Sequence, residues 1–214
     1  MTSFAPQAAA TYSRVEETLH AITHGVGFIA ACVGLIMMLQ KVDGVIAQLV
    51  CAVYGVSMML MFLSSTLYHW ASSVSLKAKL KVFDHVSIYL LIAGTYTPYT
   101  VFAVGGEIGI LANSIIWGLA VIGIGCKFFA SRRFPKLSLV TYLLMGWLAI
   151  FFAYPLYNAI ETKGFWLLLA GGLCYTFGAV FYAAKQFQFT HLVWHIFVMA
   201  GCACHFWSIY QFVI

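Results

Sequence analysis

The sequence predicts an all-α, polytopic membrane protein: a bundle of seven transmembrane helices with a cytoplasmic N-terminus and an outside C-terminus. Three observations predict it. Apolar residues make up 63% of the chain and charged residues 8%, against roughly 25% charged in an ordinary soluble domain. The charges divide the chain into uncharged runs at 18–40, 44–76, 85–106, 108–126, 137–160, 164–184 and 186–214, and each run reaches the roughly 20 residues that cross a bilayer. The basic residues fall mainly on one side. Arg14, Lys77, Lys79, Lys81, Lys127, Arg132, Arg133, Lys136 and Lys185 share a side, and Lys41 and Lys163 take the other. The positive-inside rule makes the richer side cytoplasmic. A net charge of +5 therefore records topology, not a nucleic-acid surface.

Residues 1–13 are small and polar and read as a flexible N-terminal segment, with 14–214 forming one seven-helix domain. The opening lacks a basic start followed by a short apolar run and cleavage site, so the first helix is expected to direct insertion itself. That helix carries Glu17, His20 and His24 at i, i+3 and i+7, on one face. The second, about Val45 to Trp70, ends with Ser65 and His69 at i and i+4, and its surplus from Ala71 to Leu76 reads as loop. A basic loop around Lys77, Lys79 and Lys81 is expected next, with the third helix opening at Phe83-Asp84-His85. Pro98 should kink that helix toward its outer end, where threonines can re-satisfy freed carbonyls. Gly105-Gly106 marks a tight turn. The fourth helix runs to the basic loop at Ser131 to Lys136, and the fifth carries Pro155 near its outer end. Gly171, Gly172 and Gly178 in the sixth are small residues that let helices approach. The seventh opens on His191-Leu192-Val193-Trp194-His195. Cys32, Cys51, Cys126, Cys174, Cys202 and Cys204 form no paired motif and read as small apolar residues.

Helix direction decides where the ionisable residues meet. Helix 1 begins inside with Glu17, His20 and His24, helix 2 ends there with His69, helix 3 begins there with Asp84 and His85, and helix 7 begins there with His191 and His195. His205 lies about 21 Å further along its helix. A lone intramembrane histidine is commonly a hydrogen-bonded core residue. Several histidines and a carboxylate at one depth are another matter, because unpaired polar groups in hydrocarbon cost several kcal/mol. His191 and His195, at i and i+4, can hold one ion from one helix, and His69 is the natural third ligand. Asp84 could bind the ion directly or hold and deprotonate the water completing the tetrahedron.

The ordered set of Glu17 to His24, Ser65-x3-His69, Phe83-Asp84-His85, Ala93-Gly94-Thr95-Tyr96-Thr97-Pro98 and His191-x3-His195 resembles the bacterial hemolysin III proteins. Those belong to the family of adiponectin and progestin receptors, with alkaline ceramidases as distant relatives. The resemblance runs from about Arg14 to the end. It implies a resident of the bacterial cytoplasmic membrane with Zn2+ near the cytoplasmic face, held by His69, His191 and His195, and with Asp84 and Ser65 near the water. Glu17, His20, His24 and His85 are candidates to surround and support that set. His20 stands where many bacterial members carry Asn, so an extra ligand, a proton carrier and a surface polar residue all stay open for it.

Three functions follow as expectations. The leading one is a zinc-dependent hydrolase of a lipid amide or ester, ceramidase-like, acting in membrane lipid homeostasis, with Asp84 as base then acid and Ser65 as orienting group. A non-enzymatic sensor or homeostasis regulator with structural zinc is the alternative. A pore-forming cytolysin stands last, since the chain is charged like an ordinary membrane resident. In the first two readings the partners are membrane lipids.

Overall fold

The structure is a computed structural model that describes residues 12–129, 137–184 and 186–214. Among them there is no strand, and seven helical stretches are long and apolar enough to cross a membrane. Helix α1 spans Arg14–Lys41, α2 Val45–Trp70 and α3 Val74–Pro98, which continues as a π-helical stretch over Tyr99–Val104. Helix α4 covers Gly106–Phe129. The fifth span is built of α5, Leu137–Trp147, a 3₁₀ segment over Leu148–Phe152 and α6, Ala153–Ala159. Helices α7, Thr162–Ala183, and α8, Thr190–Phe212, complete the chain.

The expected second span is reproduced at both ends, but the third helix starts nine residues earlier than Phe83. Ser73 caps it by accepting from the Leu76 N–H, a role that serine favours because the first amides of a helix have no intrahelical partner. Lys77, Lys79 and Lys81 therefore ride on a helix and not in a loop. Only residues 71–73 remain as connection. Pro98 lacks an N–H, and the helix continues as the π-turn directly after it. The Thr95, Thr97 and Thr100 hydroxyls donate to the carbonyls of Leu91, Ala93 and Tyr96. Pro155 interrupts the fifth span, which tightens to 3₁₀ geometry just ahead of it. Gly105 and Gly106 both take positive φ, 63° and 55°, the conformation that makes glycine the turn residue here.

Packing brings α1 against α2 and α8, α2 against α3, and α7 against α8. The ends that meet at the histidines are thus the start of α1, the end of α2 and the start of α8. Ile29, Val33 and Ile36 form an exposed apolar stripe on α1, as expected of a surface turned to lipid tails rather than to water. Close approach of α7 and α8 depends on Gly171 and Gly178: a β-carbon would collide with His205 at the first and with Phe197 and Trp194 at the second. Gly172, expected to act likewise, has nothing within 4 Å of its β-carbon position. Cys51 and Cys202 are buried, the other four cysteines are half-buried, and all six are free. The expected flexible segment lies largely, at 1–11, outside the described residues, as does the basic loop at 130–136.

Candidate metal centre

Two helix starts are tied together before any histidine is placed. Ser13 and Glu16 form a capping box on α1: the Glu16 N–H donates to Ser13 Oγ at 3.2 Å, and the Ser13 N–H donates to Glu16 Oε2 at 3.0 Å. The second oxygen of the same carboxylate, Oε1, accepts from the N–H of Phe189 at 3.0 Å. Phe189 holds φ at 60° and caps α8. A non-glycine residue in that region is strained, and the buried Glu16 carboxylate helps hold it. The register of His20 is thereby coupled to that of His191.

Above this tie the imidazoles converge. The ligand atoms of His20, His69 and His191 lie within 4.8 Å of one another. His191 Nε2 is 3.3 Å from His69 Nε2 and 3.2 Å from His195 Nε2. The outer partners set the tautomers. Glu17 Oε2 sits 2.7 Å from His69 Nδ1, so that nitrogen donates and Nε2 faces the cluster as a lone pair. The Thr23 hydroxyl donates its one proton to the carbonyls of Leu19 and His20. It is left to accept from His195 Nδ1 at 3.3 Å, which again turns an Nε2 lone pair inward. A single proton on His191 Nε2 can serve one of these neighbours and not both. A cation could be shared by His20, His69 and His191, the three whose ligand atoms are all mutually close, while His195 joins the set through its contact with His191.

Distances agree with that reading. Imidazoles on a tetrahedral ion with metal–nitrogen bonds of about 2.0–2.1 Å hold their nitrogens about 3.3 Å apart, close to the two Nε2 separations. His20 is 0% exposed, and both its ring nitrogens are buried without a hydrogen-bond partner among the described residues. It is not a surface polar residue. These donors therefore fit a divalent metal of borderline softness, for which neutral imidazole is the usual ligand.

The remaining candidates take distinct places. Asp84 stands beside Ser65, and both line a cavity of about 200 Å³ together with His24, His191 and His195. His85 lines the same cavity but is engaged elsewhere, with Nδ1 2.6 Å from the Lys81 carbonyl and Nε2 3.4 Å from the Tyr182 hydroxyl. His24 stacks on His195 at 3.6 Å between ring centres. His205 lies apart and pairs with the Leu168 carbonyl at 3.1 Å. Ile88, Leu91, Ile150, Phe165 and Leu168 also line the cavity, and most of its wall is apolar.

Four contributors escaped the sequence reading. Tyr12 stacks on His191 and meets His20 edge-on, each at 5.0 Å between centres; its hydroxyl pKa is pushed up to about 12 by burial first and then by Glu17, Glu16 and Asp84. Lys77 reaches Glu17 Oε1 at 2.6 Å. Glu16 and Thr23 complete the set. Thr23, three residues after His20, carried a weak signal; Tyr12 fell inside a segment read as flexible and carried none.

A haemolysin III-related family profile matches residues 12–206. Hemolysin-3 of Bacillus cereus is 42% identical over 202 residues, covering 93% of this chain and 92% of the relative. The hemolysin-3 homolog of Bacillus subtilis is 42% identical over 197 residues, covering 91% and 92%. The human monocyte to macrophage differentiation factor is 27% identical over 209 residues, covering 92% of this chain and 84% of that protein.

Proposed function

The chain belongs to the haemolysin III-related family, and from that premise we propose that it is a zinc-dependent hydrolase of a lipid amide or ester bond in the bacterial cytoplasmic membrane. One observation carries this reading. A single cavity brings His191 and His195 of the cluster, Asp84 and Ser65 together with a largely apolar lining, which suits a molecule with a polar linkage and an acyl chain. A purely structural ion would not need that connection. The charge bias of the sequence supports setting the polar end at the cytoplasmic face, so a lipid of that leaflet is the natural substrate class.

His69, His191 and His195 would hold the zinc, with His20 as the nearest additional imidazole. When bound, zinc polarises a carbonyl and lowers the pKa of water toward 7. Glu17 orients His69 through Nδ1, and Thr23 does the same for His195. Asp84 takes a proton from water at its carboxylate and returns it to the leaving amine or alcohol. Ser65, beside it, orients the carboxylate or the carbonyl oxygen. The apolar wall of Leu91, Ile150 and Leu168 binds the chain and keeps bulk water from the polar end.

A second reading, a sensor or homeostasis regulator with structural metal, draws on the burial of His20 inside the cluster, since structural sites are closed by protein ligands. Purified protein tested for zinc content and against a panel of amide- and ester-linked lipids separates the two. Zinc with hydrolysis that ceases on its removal supports the enzyme. Zinc with lipid binding but no turnover supports the sensor, and absence of zinc refutes both.

A further inference from the structure

We propose that His20 is a fourth metal ligand, so that the resting site is a closed tetrahedron of four imidazoles and His20 occupies the position a water would need. The inference rests on the reading of the cluster as a zinc site and deepens it. Its basis is the arrangement of whole rings. The centres of His20, His69, His191 and His195 are separated by 4.7 Å for 20–69, 4.8 Å for 20–191, 5.1 Å for 20–195, 5.2 Å for 69–191, 5.1 Å for 69–195 and 4.7 Å for 191–195. Four points at nearly equal mutual distances are the corners of a regular tetrahedron. Four imidazoles bound through one nitrogen each, with metal–nitrogen bonds of about 2.0–2.1 Å and ring centres about 1.2 Å further out, set their centres about 5.2 Å apart. The observed edges have that size.

A second observation is independent of the ring positions. His69 and His195 each use Nδ1 on an outer partner, Glu17 and Thr23. His20 has no such partner: both nitrogens are buried and unpaired among the described residues. Burying a whole imidazole that way costs several kcal/mol unless something inside the cluster accepts a lone pair. A metal ion does. His24 also has both nitrogens buried and unpaired among the described residues, so ring position separates the two: its ring lies parallel on His195 at 3.6 Å and 12°, stacked behind a ligand and not at a corner.

The consequence is a built-in gate. With four nitrogens bound, no position is open for a nucleophile, so hydrolysis requires His20 to leave. No orienting hydrogen bond among the described residues resists its leaving.

X-ray absorption at the zinc edge of the full-length, detergent-purified protein tests this. Four imidazoles per zinc are expected in the wild type. In His20→Asn and His20→Gln, three imidazoles and one oxygen are expected, with one zinc still bound per chain and affinity weaker by about 100-fold, at or above the top of the range seen for lost supporting groups. Three imidazoles and an oxygen in the wild type overturn the role of His20 and leave the zinc reading standing. A protein without zinc overturns both. The wild-type count decides even where a variant fails to fold.

Discussion

Glu17 Oε2 accepts a hydrogen bond from His69 Nδ1 at 2.7 Å, while Oε1 of the same carboxylate meets Lys77 Nζ at 2.6 Å. The carboxylate spans from α1 to α2 and α3 and fixes which nitrogen of His69 faces the cluster. Lys77 in turn fixes the carboxylate. This is the usual way a protein orients a metal-bound imidazole, and loss of such a partner commonly weakens metal binding 10- to 100-fold.

Glu17→Gln is therefore expected to keep the fold and weaken zinc binding by about that factor, because an amide can still contact His69 but its charge is gone. Competition with a chelator of known affinity measures it. Unchanged affinity would show that Glu17 only pairs with Lys77.

Asp84→Asn is expected to separate metal binding from chemistry. Asp84 lines the cavity beside Ser65, whereas the inward nitrogens belong to histidines, so the variant should retain one zinc per chain. An amide cannot accept the proton, and loss of a general base typically lowers rate by about 10²–10⁴-fold. Turnover on the lipid panel, beside zinc content of the same preparation, checks both halves. Full activity in the variant removes Asp84 from the mechanism.

Much of this arrangement was legible because a bilayer simplifies the physics. Charges mark the ends of spans and helix direction then sets depth, so His69, His191 and His195 could be brought together across more than 100 residues of chain. Helix rotation was less legible. Spans that are apolar on every side carry little periodicity, so nothing told His20 from a surface residue or placed His85 against Tyr182. The start of α3 was missed because three lysines looked like solvent, and the Glu17 carboxylate that receives Lys77 was 60 positions away. Tyr12 and the Glu16–Phe189 bond depend on tertiary contacts that no local pattern encodes.

Glu16→Ala is expected to destabilise the protein and loosen the metal together. The substitution removes the capping partner of Ser13 and leaves the Phe189 N–H unsatisfied beside a strained backbone. Loss of a cap partner costs about 0.5–2 kcal/mol, and the Phe189 N–H, on an exposed residue, loses its bond to the carboxylate. Thermal melting in detergent with and without zinc reads the effect. Because the bond couples the starts of α1 and α8, the zinc-dependent rise in melting temperature should shrink as well.

Neighbouring glycines on α7 offer a test of the cavity itself. A side chain at Gly171 would run into His205, whereas one at Gly172 meets nothing within 4 Å and points into the cavity. Replacing glycine inside a helix also gains up to about 1 kcal/mol of helix propensity. Gly172→Leu should therefore fold at least as well as the wild type and bind zinc unchanged, while four added carbons obstruct the apolar wall. Gly171→Leu, one residue away, should unfold at lower temperature through overpacking, which costs about 1–3 kcal/mol. If the cavity receives an acyl chain, Gly172→Leu loses long-chain lipids first and keeps short-chain ones, as a competition series of increasing chain length would record. Equal loss across all lengths, or none, would mean that the chain lies elsewhere and that the cavity serves only the polar end.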